Sequence, residues 1–179
     1  PYVTDAVRAR VTASMQALGY EPHVLAQSLR TGQTHTVGYV ISDISNPLFA
    51  SIARGIDDSL QTAGYTMLLG NSRGTAAHEL QVIKQLLRRR VDGLILSLAD
   101  ETDPVLRSYL ADVSAPLVLL DREVRGVTCD RVLVDHAQGI TAAVAHLYER
   151  GHRRIALITV APNTRPGRAI AAAFRSALQ

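Results

Sequence analysis

Thr36-Val-Gly-Tyr-Val-Ile-Ser42 gives way at Asn46-Pro47 to a run from Leu48 to Ala63, and beyond Gly64 the chain becomes apolar again from Tyr65 to Asn71. The first piece is short, apolar and rich in β-branched residues, as a buried strand is. In the run that follows, Leu48, Phe49, Ile52, Ile56 and Leu60 recur at threes and fours, so they share one face of a helix. Gly64 suits the left-handed residue that closes such a helix. Strand, helix and strand in that order form a βαβ unit, whose two strands lie parallel in one sheet.

Outward from this unit the alternation continues. The pattern predicts a helix over Ala76 to Arg90, with Leu80, Ile83, Leu86 and Leu87 inward, and strands over Val91 to Leu98, Pro116 to Leu120 and Val127 to Val134. Helices are expected over Asp103 to Asp112, Ala137 to Arg150 and Pro166 to Leu178, with a further strand over Arg153 to Thr159. The strands are nearly continuous apolar runs, as they are when a sheet is covered on both faces. The fold class is therefore α/β, a parallel doubly wound sheet. In such sheets ligands bind beyond the carboxyl ends of the strands. That rule singles out Ser42 to Phe49, Asn71 to Arg73, Ser97 to Glu101, Asp121 to Arg125 and Val160 to Arg168.

The first 35 residues follow another pattern. Thr4 can cap a helix running to about Leu18 and ending at Gly19. A short piece, Val24-Leu-Ala-Gln-Ser-Leu29, then precedes Arg30-Thr-Gly-Gln-Thr34, a linker by composition. A helix that short is marginal in water and orders only against a partner.

The chain has 179 residues, 47% of them hydrophobic, enough for a sizeable core and too apolar for a disordered tail. No apolar stretch approaches the roughly 20 residues of a membrane helix. Pro1-Tyr-Val-Thr-Asp5 has neither the basic start nor the apolar segment of a signal peptide, which favours a cytoplasmic protein. A single cysteine, Cys129, excludes a disulfide scaffold and a multi-cysteine zinc site. The net charge of +3 permits a nucleic-acid partner without requiring one.

Enzyme signatures are missing from the sequence. There is no G-x-G-x-x-G after the first strand, no phosphate-binding P-loop, no H-E-x-x-H and no G-x-S-x-G. The six histidines have no metal-ligand spacing, so no metal or other cofactor is implied. Arg88-Arg-Arg90 reads as a helix end matched to its dipole. Asp121, at the end of a strand, has two readings on position alone: an acceptor for ligand hydroxyls, or a turn-capping carboxylate.

Taken together, the motifs are more specific than a fold class. Val11-x6-Leu18-Gly-Tyr-x-Pro22-x2-Leu25-Ala-x-Ser-Leu-Arg-Thr-Gly32 resembles the end of the headpiece and the hinge of the lac and gal repressor (LacI/GalR-type) family. The resemblance continues, in order, through Asp43-Ile-Ser-Asn-Pro-Leu-Phe49, Ala63-Gly64-Tyr65, Arg89-Arg-Val-Asp-Gly-Leu-Ile95, Leu120-Asp121 and Arg150-Gly-His-Arg-Arg-Ile-Ala156. It implies a ligand-responsive transcriptional regulator, usually a repressor, acting as a homodimer on operator DNA. Its sensor would have the type I fold of periplasmic binding proteins, two Rossmann-like subdomains around an effector cleft. The alternative is a solute-binding protein of the same fold, which would carry no hinge sequence.

The resemblance also implies boundaries and roles. Residues 1–22 would be the last part of a helix-turn-helix headpiece and 23–35 the hinge helix and linker. Residues 36–134 would form the first sensor subdomain and 135–179 the start of the second, in a chain that is a piece of a longer protein. In the hinge, Leu29 would wedge between base pairs, with Ala26 near the groove floor and Gln27 and Arg30 toward phosphates. His23 stands where the family commonly has asparagine. For an effector of sugar type the resemblance points to Ser42, Asn46, Phe49, Ile52, Asp121 and Arg122. Many members carry an arginine at the position of Ile170; either Arg168 or Arg165 substitutes for it, or the effector is not a typical sugar, or none is bound. The helix at 48–63 and the strand at 91–98 are expected at the dimer surface.

Overall fold

Residues 3–20, 30–160 and 162–179 are described by a computed structural model, in which the chain divides into two units, Pro1–Thr34 and His35–Gln179. The first unit contains α1 (Asp5–Ala17). Thr4 holds its N-cap position, but its side chain makes no capping hydrogen bond, contrary to expectation. The helix ends as Gly19 predicts: with φ +60° it lets Gly19 N donate to Gln16 O and Tyr20 N to Met15 O. No residue of α1 is buried, and Val7, Val11 and Leu18 stand exposed. The expected hinge residues His23, Ala26, Gln27 and Leu29 lie outside the described residues; Arg30 is helical and exposed.

The second unit is built on β1 (Thr36–Ile41), flanked on either side by β2 (Thr66–Asn71) and β3 (Gly93–Ser97). With β4 (Leu117–Leu120) and β5 (Asp130–Val132), the sheet has the order β2-β1-β3-β4-β5, and every pairing is parallel. Between strands run α2 (Pro47–Thr62), α3 (Ala76–Arg88) and α4 (Pro104–Ala111), followed by α5 (His136–Glu149) and α6 (Arg165–Ala177). No described helix is long and apolar enough to cross a membrane.

Alternation along β1 divides the core. Tyr39 and Ile41 pack with Ala53 of α2 on one face, while Val40 packs with Ile83 and Leu86 of α3 on the other. This explains why β1 reads as an unbroken apolar run. The inward residues of α3 follow the prediction, with Ile83 and Leu86 buried and Leu80 and Leu87 packed against the core. Close approach of α3 to the sheet also requires glycine at Gly70, because a Cβ there would overlap Cγ1 of Val82. A β-branched valine has little rotamer freedom to retreat. Gly70→Ala is therefore expected to cost about 1–3 kcal/mol of stability in urea titrations, and an unchanged midpoint would mean that α3 shifts freely on the sheet.

Three expectations need correction. Arg153–Thr159 carries no strand pairing, and Ile158 is 100% exposed; a strand needs a neighbour for its N–H and C=O groups, and none of the described strands lies beside it. The fifth strand is limited to Asp130–Val132, since only there does a register with β4 exist. The 91–98 strand cannot contribute to a dimer surface, because β3 is paired on both edges and nearly every residue from Val91 to Leu98 is buried. The exposed positions of α2 remain open to that role.

Candidate effector cleft

Parallel strands end together, so the residues after β1, β3 and β4 converge at one end of the sheet. The segment after β1 is held by local hydrogen bonds. Asp43 accepts from Ser45 N at 2.9 Å and Ser45 Oγ at 2.7 Å, and these bonds hold its carboxyl below the usual carboxylate range. Asn46 caps α2 by accepting from Leu48 N at 3.0 Å. Its extended backbone is the conformation a residue before proline requires, and Pro47 takes the first helical position. Together these fix Asn46, Leu48 and Phe49 at the rim.

At that end lies a cavity of about 600 Å³, within the size range of small-molecule sites. Ser42, Asn46, Phe49, Ile52, Asp121 and Arg122 all line it, so six of the seven expected effector residues come together. Arg168 does not join them. It lines a separate pocket of about 380 Å³ with Arg107, Glu123 and Arg125, and its Nη2 donates to Glu101 Oε2 at 2.6 Å. The position expected to hold arginine, Ile170, faces the larger cavity as a hydrocarbon.

Asp121 is held in a specific way. Its φ of +52° turns the chain out of β4, a conformation aspartate tolerates better than most residues. The carboxylate accepts from Arg165 Nη1 at 2.8 Å and Val134 N at 3.3 Å, and its other oxygen lies 2.6 Å from His136 Nε2. The side chain lines the cavity and also ties β4 to α5 and α6. Arg122, 8% exposed, donates through Nε to Leu98 O and through Nη1 to Asp121 O at 3.0 Å. Burial lowers its pKa from the ordinary arginine value, against the opposing pull of Glu101 and Asp121.

Several participants carry no recognisable motif. Ser97, His136, Asn163 and Thr164 line the cavity. Ser97 and Thr164 fall in stretches that the strand-end rule had singled out, but His136 came into view only through its contact with Asp121. Behind the cavity, Glu101 is 5% exposed and accepts from Arg165 N at 2.7 Å. It also meets Arg168 at 2.6 Å and Arg122 at 3.9 Å, strapping the loop after β3 to the start of α6. Glu79 on α3 is 0% exposed, and its two oxygens accept from Ala99 N at 3.0 and 3.1 Å. Burial pushes its pKa up to about 7, although the Ala99 N–H opposes the shift. The nearby Ser72 hydroxyl also favours the ionised form.

The arrangement has the parts of a binding cleft: a shaped cavity, an aromatic wall, and charged groups held at fixed angles. Among the described residues no group of three or more His, Cys, Asp or Glu is placed to hold a metal.

Comparison with known proteins bears on what such a cleft is for. Residues 34–179 match the family described as periplasmic binding proteins and sugar binding domain of LacI family. Over 178 residues the chain is 30% identical to the ribose operon repressor of Escherichia coli K12, covering 99% of this chain and 54% of that protein. The chain thus spans about half the length of the relatives it matches. Among solved structures, the lac repressor dimer bound to operator and the anti-inducer ONPF superposes with a TM-score of 0.81 at 25% identity, over 99% of this chain and 54% of that one. The Cra transcriptional dual regulator of Pseudomonas putida, in complex with fructose 1-phosphate, gives a TM-score of 0.73 at 28% identity, over 80% and 53% of the two chains.

Proposed function

Because the chain belongs to the family of periplasmic binding proteins and LacI-type sugar-binding domains, we propose that it is the sensor-bearing part of a ligand-responsive transcriptional repressor. A small molecule enters the cleft at the strand ends and alters operator affinity through the segment 23–35. The observation that carries this reading is the single cavity shared by Ser42, Asn46, Phe49, Ile52, Asp121 and Arg122 at the carboxyl ends of parallel strands. The protein is non-enzymatic on this reading, and its place is the cytoplasm, where operator DNA is. Residues 36–134 form the first sensor subdomain and 135–179 enter the second. The functional unit is a homodimer, whose two-fold axis matches paired half-sites, and an exposed face of α2 is available for it.

Leu29 carries the most specific part of the DNA reading. An apolar side chain wedged between base steps costs unstacking energy and gains a bent, better-wrapped site. Fluorescence anisotropy with DNA fragments from around the protein's own gene, at two salt concentrations, tests it. One fragment should bind tightly, and Leu29→Ala should weaken it by about tenfold, roughly 1.4 kcal/mol. Weak, salt-sensitive binding that ignores sequence would remove the repressor reading and leave a solute-binding protein of the same fold.

The effector class that comes first to trial is a sugar, since the Pseudomonas putida regulator is seen with fructose 1-phosphate. Asp121 is the residue to accept its hydroxyls.

A further inference from the structure

Arginines from separate parts of the chain meet at the pocket of about 380 Å³. Arg107 comes from α4, Arg125 from the loop after β4 and Arg168 from the first turn of α6. Each adjoins a residue held in the interior: Leu106 is 1% exposed, Val124 is 5% exposed and Gly167 is buried. The cations are thus carried on anchored backbone. Like charges brought together repel, and the chain's own carboxylates offset only part of this. Glu101 lines the pocket but is shared, with Arg168 Nη2 at 2.6 Å and Arg122 Nε at 3.9 Å. Glu123, also in the lining, pairs with Arg131 at 3.2 Å. The other acids of the loop after β3 are engaged locally. Asp100 accepts from Thr102 N and Oγ1, and Asp103 caps α4 by accepting from Leu106 N. Arg107 and Arg125 form no ion pair among the described residues.

We propose that this pocket is a second binding site, for a phosphate-type oxyanion, either the free ion or the terminal group of a small phosphomonoester. It shares no lining residue with the larger cavity, so it does not depend on what that cavity binds. Arg168 is held in advance: Nη2 is fixed by the buried Glu101 and Nη1 donates to Pro162 O at 3.3 Å. A guanidinium carries further N–H groups beyond those two. Its fork matches phosphate geometry, and three such forks suit a group with three outward oxygens better than a two-oxygen carboxylate. A concave surface with uncompensated cations also focuses field lines and raises the local concentration of anions.

Inorganic phosphate, glycerol 3-phosphate and acetate are titrated separately into the full chain at constant ionic strength and followed by backbone amide NMR. Phosphate should shift the amides of Leu106, Arg107, Val124 and Arg125 saturably, with half the effect at about 1 mM and acetate about tenfold weaker or more. Arg107→Gln and Arg125→Gln should each weaken phosphate about fivefold or more, the loss of one charge-assisted contact at an exposed rim. Arg88→Gln, at an exposed position on α3 outside the pocket, should leave phosphate binding unchanged. All three substitutions are at exposed positions, and thermal melts establish that the variants fold. Glycerol 3-phosphate binding tighter than phosphate identifies a phosphomonoester as the ligand, and equal or weaker binding identifies the free ion. The site is overturned by shifts that do not saturate by about 20 mM phosphate, or by acetate as tight as phosphate. It is overturned equally by phosphate binding that ignores Arg107→Gln and Arg125→Gln, or that falls as far in Arg88→Gln.

Discussion

Glu101→Ala is expected to lower stability by about 3 kcal/mol, with a fall in melting temperature of roughly 10 °C. The reason lies in what the carboxylate leaves behind. Arg122 would keep its buried position and lose a charge that offsets it, and Arg165 N–H would lose its acceptor. Removing one partner of a buried ionic cluster is costly chiefly for that uncompensated remainder. The Arg168 contact adds little, since that side chain is 43% exposed and water screens it. Glu101→Gln should fall between, because an amide oxygen can still accept from Arg165 N while its NH₂ group opposes Arg168. Urea unfolding followed by circular dichroism measures both variants. A loss below about 0.5 kcal/mol for Glu101→Ala, the ordinary range of surface changes, would mean that the loop after β3 and α6 do not depend on this strap.

The second large effect is a dependence on pH. With its pKa pushed up to about 7, Glu79 holds its proton in the folded protein over a range where the unfolded chain, near 4.5, has released it. Between those values the folded state binds more protons, so stability decreases as pH rises. The contribution is fully present below about pH 4.5 and is lost as pH passes through about 7, a change on the order of 3 kcal/mol. Glu79→Gln should abolish this slope, since the amide stays neutral and its oxygen can take Ala99 N–H. Above pH 7 the variant should be the more stable protein, and below pH 4.5 the difference should vanish. Denaturation midpoints at four pH values decide it; parallel curves for the two proteins would show that Glu79 does not titrate in this window.

Much of this architecture was legible before any coordinates. Apolar periodicity located every described strand and helix from β1 to α6, because a doubly covered parallel sheet writes long apolar runs and its helices write threes and fours. Gly19 and Gly64 were readable for a local reason, the left-handed turn that each supplies. Arg153–Thr159 misled because composition records the tendency to extend and says nothing of whether a neighbouring strand is there to pair. In the cleft, position after a strand was enough to find Asn46 and Asp121. Arg168 was misplaced because helix phase decides which way a side chain turns, and two residues along α6 put Ile170, in place of a guanidinium, toward the cavity. Glu79 stayed hidden, and Glu101 was marked only by its place after β3, for a different reason. A buried carboxylate is defined by partners distant in sequence, and for Glu101 those are Arg165 and Arg168 on α6. The strongest family signal in the first unit, 23–29, lies outside the described residues, so Leu29 rests on sequence and on the DNA experiment.

The strand order has a consequence for the chain as it is made. Of the five described strands β1 is synthesised first, yet it lies between β2 and β3 and cannot be closed on both edges until residue 97 has been added. At about 5–20 residues per second, that interval is roughly 3–12 s. For those seconds Tyr39, Val40 and Ile41, all but inaccessible in the finished protein, have at most one neighbour to cover them. An apolar edge exposed for so long is a natural substrate for a holding chaperone. The sheet's connectivity therefore sets a period of vulnerability during translation that the stability of the completed fold does not shorten.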